Sequence, residues 1–211
     1  MAKFPEPPSA ARLADIPPVW HVIDVRALLW RIYFRASAHP TGWHTFRHWG
    51  PTPSRFDHHR PDAAGRGCIQ DRGILYAAGA IATCVAEVFQ DGRIVDRTDQ
   101  QPWLVGFAPR RPLRLLDLTG TFCTRVGAST AINSGRRDRA RRWSQAFYDA
   151  FPQADGIAYA SSMNGHAVGY ALYERAGDAL PATPEAHHAL DAPALDVPLD
   201  RIATALGYAI M

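Results

Sequence analysis

The sequence predicts a single α+β domain, and three observations carry that prediction. Short apolar runs rich in β-branched, aromatic and leucine residues recur at 27–34, 103–108, 113–118 and 156–160. Stretches with helical spacing of apolar residues lie among them, at 73–89 and 136–151. No repeat and no linker divides the 211 residues, which suffice for one substantial core.

Composition narrows the class. Hydrophobic residues make up 47% and charged residues 20%, the balance of a globular chain rather than a disordered one. The net charge is +3, and Lys3 is the only lysine, so the positive charge is arginine. That biases the surface mildly towards anions such as phosphates, and is too weak for a general nucleic-acid binder. Cys68, Cys84 and Cys123 are sparse and show no paired spacing, against a disulfide framework or a zinc knuckle. With no signal-peptide pattern, a reducing cytoplasm is expected. No apolar run reaches the roughly 20 residues of a membrane span, so no membrane partner is expected.

In chain order, residues 1–18 hold five prolines and read as an extended arm rather than a folded element; residues 19–211 form the domain. The run 27–34 reads as a strand with one charge, Arg31. Strand alternation puts Arg31 on the face of Leu29 and Tyr33, opposite Trp30 and Ile32. Arginine is rarely buried without a partner, so Arg31 either snorkels out at an edge or points into a polar cleft. Residues 36–71 read as a long loop of the kind that often carries function. It contains Ser54-Arg55-Phe56-Asp57 and five histidines. His44 and His48 stand at i, i+4 with His58 and His59 nearby, but no acid or cysteine completes a metal set, and none is assigned.

Residues 73–89 read as one buried helix, stopped by Asp91-Gly92, with Glu87 in its last turn. There the helix dipole and desolvation both oppose a carboxylate, which marks Glu87 as either a solvated rim residue or a site acid. Residues 93–97, 103–108 and 113–118 read as strands, 119–134 as loop with a short helix, and 136–151 as an amphipathic helix. That helix carries Arg136, Arg137, Arg139, Arg141 and Arg142; without stacking aromatics among them, a solvated basic face is favoured over a phosphate or nucleic-acid contact. Residues 156–160 read as a strand entering the polar turn Ser161-Ser162-Met163-Asn164, whose hydroxyls and amide suit a ligand or a helix cap equally. A helix over 166–175 and an apolar close at 202–210 follow.

Four pieces in order resemble the RES domain family: Trp30-Arg31-Ile32-Tyr33, Ser54-Arg55-Phe56, Ile74-Leu75-Tyr76-Ala77 leading to Ala86-Glu87, and Gly156-Ile157-Ala158-Tyr159-Ala160-Ser161. Each is weak alone; their order and spacing over about residues 27–175 make the set specific. The resemblance matches Arg31, Glu87 and Ser161 to the catalytic residues of the family, and Arg55 and Tyr76 to its pocket. Tyr33 and Asn164 complete the candidate substrate-binding set. Ser162 adjoins Ser161, and a turn shifted by one residue would exchange them. Many members have a Gly-Arg-Trp-type motif where this chain has Ser54-Arg55-Phe56-Asp57.

The resemblance implies a mixed sheet around a nucleotide cleft, like the ADP-ribosyltransferase fold. It implies a toxin that cleaves NAD by hydrolysis or phosphorolysis, with inorganic phosphate as a co-substrate in the latter. It also implies a helix-turn-helix antitoxin of Xre type that covers the site. No cofactor is expected, since NAD is the substrate; a homodimer is admitted. The chemistry suits these residues. Cleaving the nicotinamide–ribose bond develops positive charge on the ribose, which Glu87 would offset. Arg31 and Arg55 offer planar donors to a pyrophosphate, and Tyr76 a ring face to nicotinamide. Two alternatives stand beside this expectation: a protein ADP-ribosyltransferase, and a non-catalytic arginine-rich nucleic-acid-binding module.

Overall fold

The computed structural model describes residues 4–165 and 167–211. The arm is not simply extended. Ser9 caps a short helix, α1 (Ala10–Ala14), by accepting the Arg12 N–H, and Phe4 and Leu13 are buried. After it come β1 (Trp20–Ile23), β2 (Leu29–Phe34), β3 (Arg47–Gly50) and β4 (Cys68–Ala78). The long loop is therefore interrupted by β3 and gives its last residues to β4.

The stretch 73–89 is not one helix. Its first part continues β4; Ala80 is extended (φ −145°, ψ 146°), and helix α2 (Ile81–Val88) begins only there. The reason is that the second half of β4, residues 73–78, is central in the sheet and largely buried on both faces, so its apolar run lacks the alternation that marks a strand. Beyond it lie β5 (Ile94–Val95), β6 (Pro102–Phe107), β7 (Leu113–Asp117) and α3 (Phe122–Arg125). Then come α4 (Arg137–Ala150), β8 (Gly156–Ala160) and β9 (Val168–Tyr173). β9 replaces the helix expected over 166–175; His166 itself lies outside the described residues. Here too a central strand is apolar on both faces. Gly169 is needed because a Cβ would stand 2.5 Å from the Tyr159 ring of the neighbouring strand. The chain closes with β10 (Ala186–Ala189), α5 (Asp196–Leu206) and β11 (Ala209–Ile210).

Among the described residues nine strands form one mixed sheet in the order β1-β7-β8-β9-β4-β2-β6-β10, with β3 beside β4; β11 pairs β5 separately. Only β7 and β8 run parallel within it. β2 meets β4 at one register pair, Trp30↔Ala78, whereas β2 and β6 share six. The sheet thus parts between β2 and β4.

Side-chain alternation sorts the core. Leu29, Tyr33, Leu75 and Val105 lie on one face, in a continuous cluster. On the other face the core divides. Ile74, Ile157 and Tyr173 pack under α3, α4 and the arm. Ile32, Ala78 and Leu104 pack under α2 and α5. The gap between these two clusters lies over the parting of β2 and β4. No helix among the described residues is long and apolar enough to cross a membrane.

The expected histidine-rich loop is partly core. His58 is buried, with its ring against Tyr148 at 4.4 Å and Tyr173 at 4.5 Å, and its Nε2 stands 3.8 Å from Glu174. Burial pulls its pKa from 6.5 down to about 4, more than Glu174 restores. The unfolded chain therefore takes up a proton on this ring first as pH falls. Stability should be fully present above pH 6.5 and be lost as pH falls towards 4. Urea melts at pH 7 and pH 5 should show His58→Phe losing about 2 kcal/mol less than the unsubstituted protein. Equal losses would show that His58 does not couple to folding.

Candidate active site

A cleft of about 410 Å³ opens in that gap, within the usual range for small-molecule sites. Strand β2 lends it Arg31 and Ile32, β4 lends Tyr76, α2 lends Glu87, and the loop before β4 lends Ser54, Arg55 and Phe56. Four residues singled out from sequence therefore meet here: Arg31, Arg55, Tyr76 and Glu87.

Glu87 is half-buried at the end of α2 and is fixed from outside its helix. The Ser161 hydroxyl donates to its Oε1 at 2.6 Å. Ser161 is fully buried just past β8, and its Oγ accepts the N–H groups of Met163 and Asn164, each at 3.1 Å. With those acceptor positions occupied, the hydroxyl proton is left to the carboxylate. Ser161 is thus the serine on Glu87, while its neighbour Ser162 lines the cleft. Asn164 Nδ2 donates to Thr83 Oγ1 at 3.0 Å. Thr83 lies one helical turn before Glu87, so the turn after β8 holds α2 at two points on one face. Asn164 is not among the cleft-lining residues; it positions the helix.

Arg31 belongs by alternation with Leu29 and Tyr33, yet it lines the cleft, because the strands part beside it. Its Nη1 donates to the Tyr76 carbonyl at 3.3 Å. Its Nε has no partner among the described residues. Burial lowers its pKa to about 10, so it stays charged at neutral pH. Arg55 donates to the Gly135 carbonyl at 2.5 Å, and burial followed by the nearby Arg137 charge lowers its pKa. Among the described residues neither Arg31 nor Arg55 is paired with an acid, and Glu87 is paired with no base. The Tyr76 hydroxyl is buried with no partner among the described residues, and burial pushes its pKa far up. Cys84, on α2, donates to the Trp30 carbonyl at 3.1 Å; burial pushes its thiol up to about 12.

Tyr33 is not brought to the cleft. It stays on the far face, where its hydroxyl shares a 2.7 Å hydrogen bond with His187 Nε2 and accepts one from Arg35. Parity decides this: Arg31 leaves that face only because it is long and lies at the parting. Sequence reasoning missed Asn133, Arg137, Gln90 and Tyr159, all of which line the cleft. Arg137 stood in a run of arginines that reads from sequence as a solvated basic face. The rest of that run is largely engaged: Arg139 and Arg142 pair with Glu6 of the arm, and Arg136 with Asp138. Phe56 packs on Tyr159 at 4.8 Å between ring centres, and Asp57 behind it is held by Arg47, Thr52 and His59. Arg55 is thus presented from a rigid base without the Gly-Arg-Trp-type motif.

The crystal structure of the M. tuberculosis MbcT–MbcA toxin–antitoxin complex matches this fold with a TM-score of 0.55 at 17% identity, covering 91% of this chain and 96% of that one. No curated protein matches the sequence. The RES domain model matches residues 28–200, reaching from β2, which carries Arg31, into α5. The ordered motifs and the residues they bring to one cleft agree with that match, and the chain belongs to the RES domain family.

Proposed function

We propose that this chain is a toxin that cleaves the nicotinamide–ribose bond of NAD and is neutralised by an antitoxin. One observation carries the reading: Glu87, oriented by Ser161, shares a cleft with two arginines, and among the described residues none of the three is neutralised by an ion pair. Such an arrangement suits a substrate that is anionic along its length and becomes cationic where it reacts. Arg31 and Arg55 bind the pyrophosphate. Glu87 offsets positive charge on the ribose as the bond to nicotinamide lengthens, and nicotinamide leaves as a neutral molecule with the bonding pair. Water or phosphate then supplies the oxygen to the ribose carbon. The rings of Tyr76 and Tyr159 offer surfaces to the departing base. The antitoxin expectation draws support from the fold match to a toxin described in complex with its antitoxin. A helix-turn-helix partner that covers the cleft would exclude NAD. On α4, Arg136, Arg139 and Arg142 are paired with acids, which weakens the nucleic-acid alternative.

The test is incubation of NAD with purified protein, with and without phosphate, and chromatography of the products. Nicotinamide with free ADP-ribose means hydrolysis. A phosphate-dependent ADP-ribose-1″-phosphate means phosphorolysis. Label transferred to protein means the ADP-ribosyltransferase reading. NAD left intact both with and without phosphate refutes the proposal.

A further inference from the structure

Arg137 is the first residue of α4, and its Nη2 donates to Gln90 Oε1 at 2.7 Å, joining α4 to the turn after α2. Both residues line the cleft that holds Glu87. Among the described residues Arg137 has no carboxylate in ion-pair range; Asp138, the acid of that first helical turn, is taken by Arg136 and Arg142. Arg55 and Arg137 belong to one construction, since Arg55 donates to the Gly135 carbonyl two residues before the helix. The two guanidinium groups are close enough for Arg137 to weaken proton binding at Arg55. The same loop presents Asn133, which is 6% exposed. Its Nδ2 donates to the Leu118 carbonyl, while its Oδ1 has no partner among the described residues. Two like charges held near each other, with only a neutral amide across from one of them, leave room for a ligand of opposite charge. The acids that also line the cleft, Glu87 and Asp91, form no ion pair with either arginine.

We propose that Arg137, unmarked by the family motifs, is the second arm of an anion clamp whose first arm is Arg55, and that it exchanges Gln90 for oxygens of the substrate pyrophosphate. The assignment rests on the reading of the substrate given above. The exchange costs one hydrogen bond to a neutral amide and gains charge-assisted, bidentate ones. The start of α4 adds its dipole to the same anion.

Calorimetric titration with inorganic pyrophosphate and with ADP-ribose tests the clamp. Arg137→Ala should bind both about 10- to 100-fold more weakly, and Arg137→Lys should recover part of the loss. Gln90→Leu frees Arg137 and should bind both at least as tightly as the unsubstituted protein. Unchanged binding in Arg137→Ala overturns the clamp, as does failure of the unsubstituted protein to bind either probe. A loss in Gln90→Leu equal to that in Arg137→Ala also overturns it, because the bridge itself would then matter. Pyrophosphate binding that depends on Arg137, without any NAD cleavage, would refute the enzymatic reading and leave the clamp standing.

Discussion

Glu87→Gln should lower NAD turnover by on the order of 10²- to 10³-fold while leaving the protein folded. The substitution keeps the shape of the side chain and an oxygen for the Ser161 hydroxyl, so the 2.6 Å contact need not be lost. What disappears is the negative charge that, in the proposed reaction, faces the ribose. That charge interacts more strongly with the transition state than with bound NAD, so the loss should appear in kcat and little in KM. Ser161→Ala should act in the same direction but less, about 10- to 100-fold, because it frees a charged carboxylate that remains in place. It also strips an acceptor from two N–H groups of the turn. Turnover and thermal unfolding of both variants separate the roles. A Glu87→Gln protein that still cleaves NAD normally rules out Glu87 as the charge at the ribose. If expression of the unsubstituted chain arrests growth and Glu87→Gln does so equally, toxicity does not run through this carboxylate.

Trp143→Ala should cost about 3–5 kcal/mol of stability, the largest loss expected of a single core truncation. Trp143 is fully buried on α4, its ring 5.4 Å from Phe147, and its indole N–H donates to the Pro5 carbonyl at 2.9 Å. Truncation leaves a cavity beneath the helix and an orphaned carbonyl in the arm. Glu6, the arm residue that pairs with Arg139 and Arg142, makes the contrast, since its side chain is 52% exposed. Glu6→Gln should cost about 1 kcal/mol or less. Urea melts of the two variants decide whether the arm is held by the indole or by surface charge. A mild Trp143→Ala would show that the arm contributes little to the core.

The site was more legible in the sequence than the elements that carry it. Arg31, Glu87 and Ser161 stand out because their neighbours form an ordered set, and that order survives any error over the intervening elements. The strands β4 and β9 were hidden for a physical reason. Each lies inside the sheet and is apolar towards both faces, so no period of two appears, and small residues such as Ala77, Ala78 and Gly169 add a helical or neutral cast. Tyr33 looked like a partner of Arg31 because adjacent motif residues share a short string; the sheet sends the two side chains different ways. Asn133 had no local signal, and nothing local set Arg137 apart from the arginines around it. Their place depends on how the loop before α4 is clamped by Arg55, a contact between residues 80 apart in sequence.

The single register pair between β2 and β4 makes the sheet two leaves with a seam at its centre. Arg31 stands on one leaf and Tyr76 on the other, so a dinucleotide held by both would act as a staple where the backbone ladder gives only one rung. By mass action, whatever occupies the seam strengthens the fold with the logarithm of its concentration relative to its Kd. If the proposed activity holds, the protein is stiffest while substrate is plentiful, and by exhausting that substrate it returns itself to the softer state.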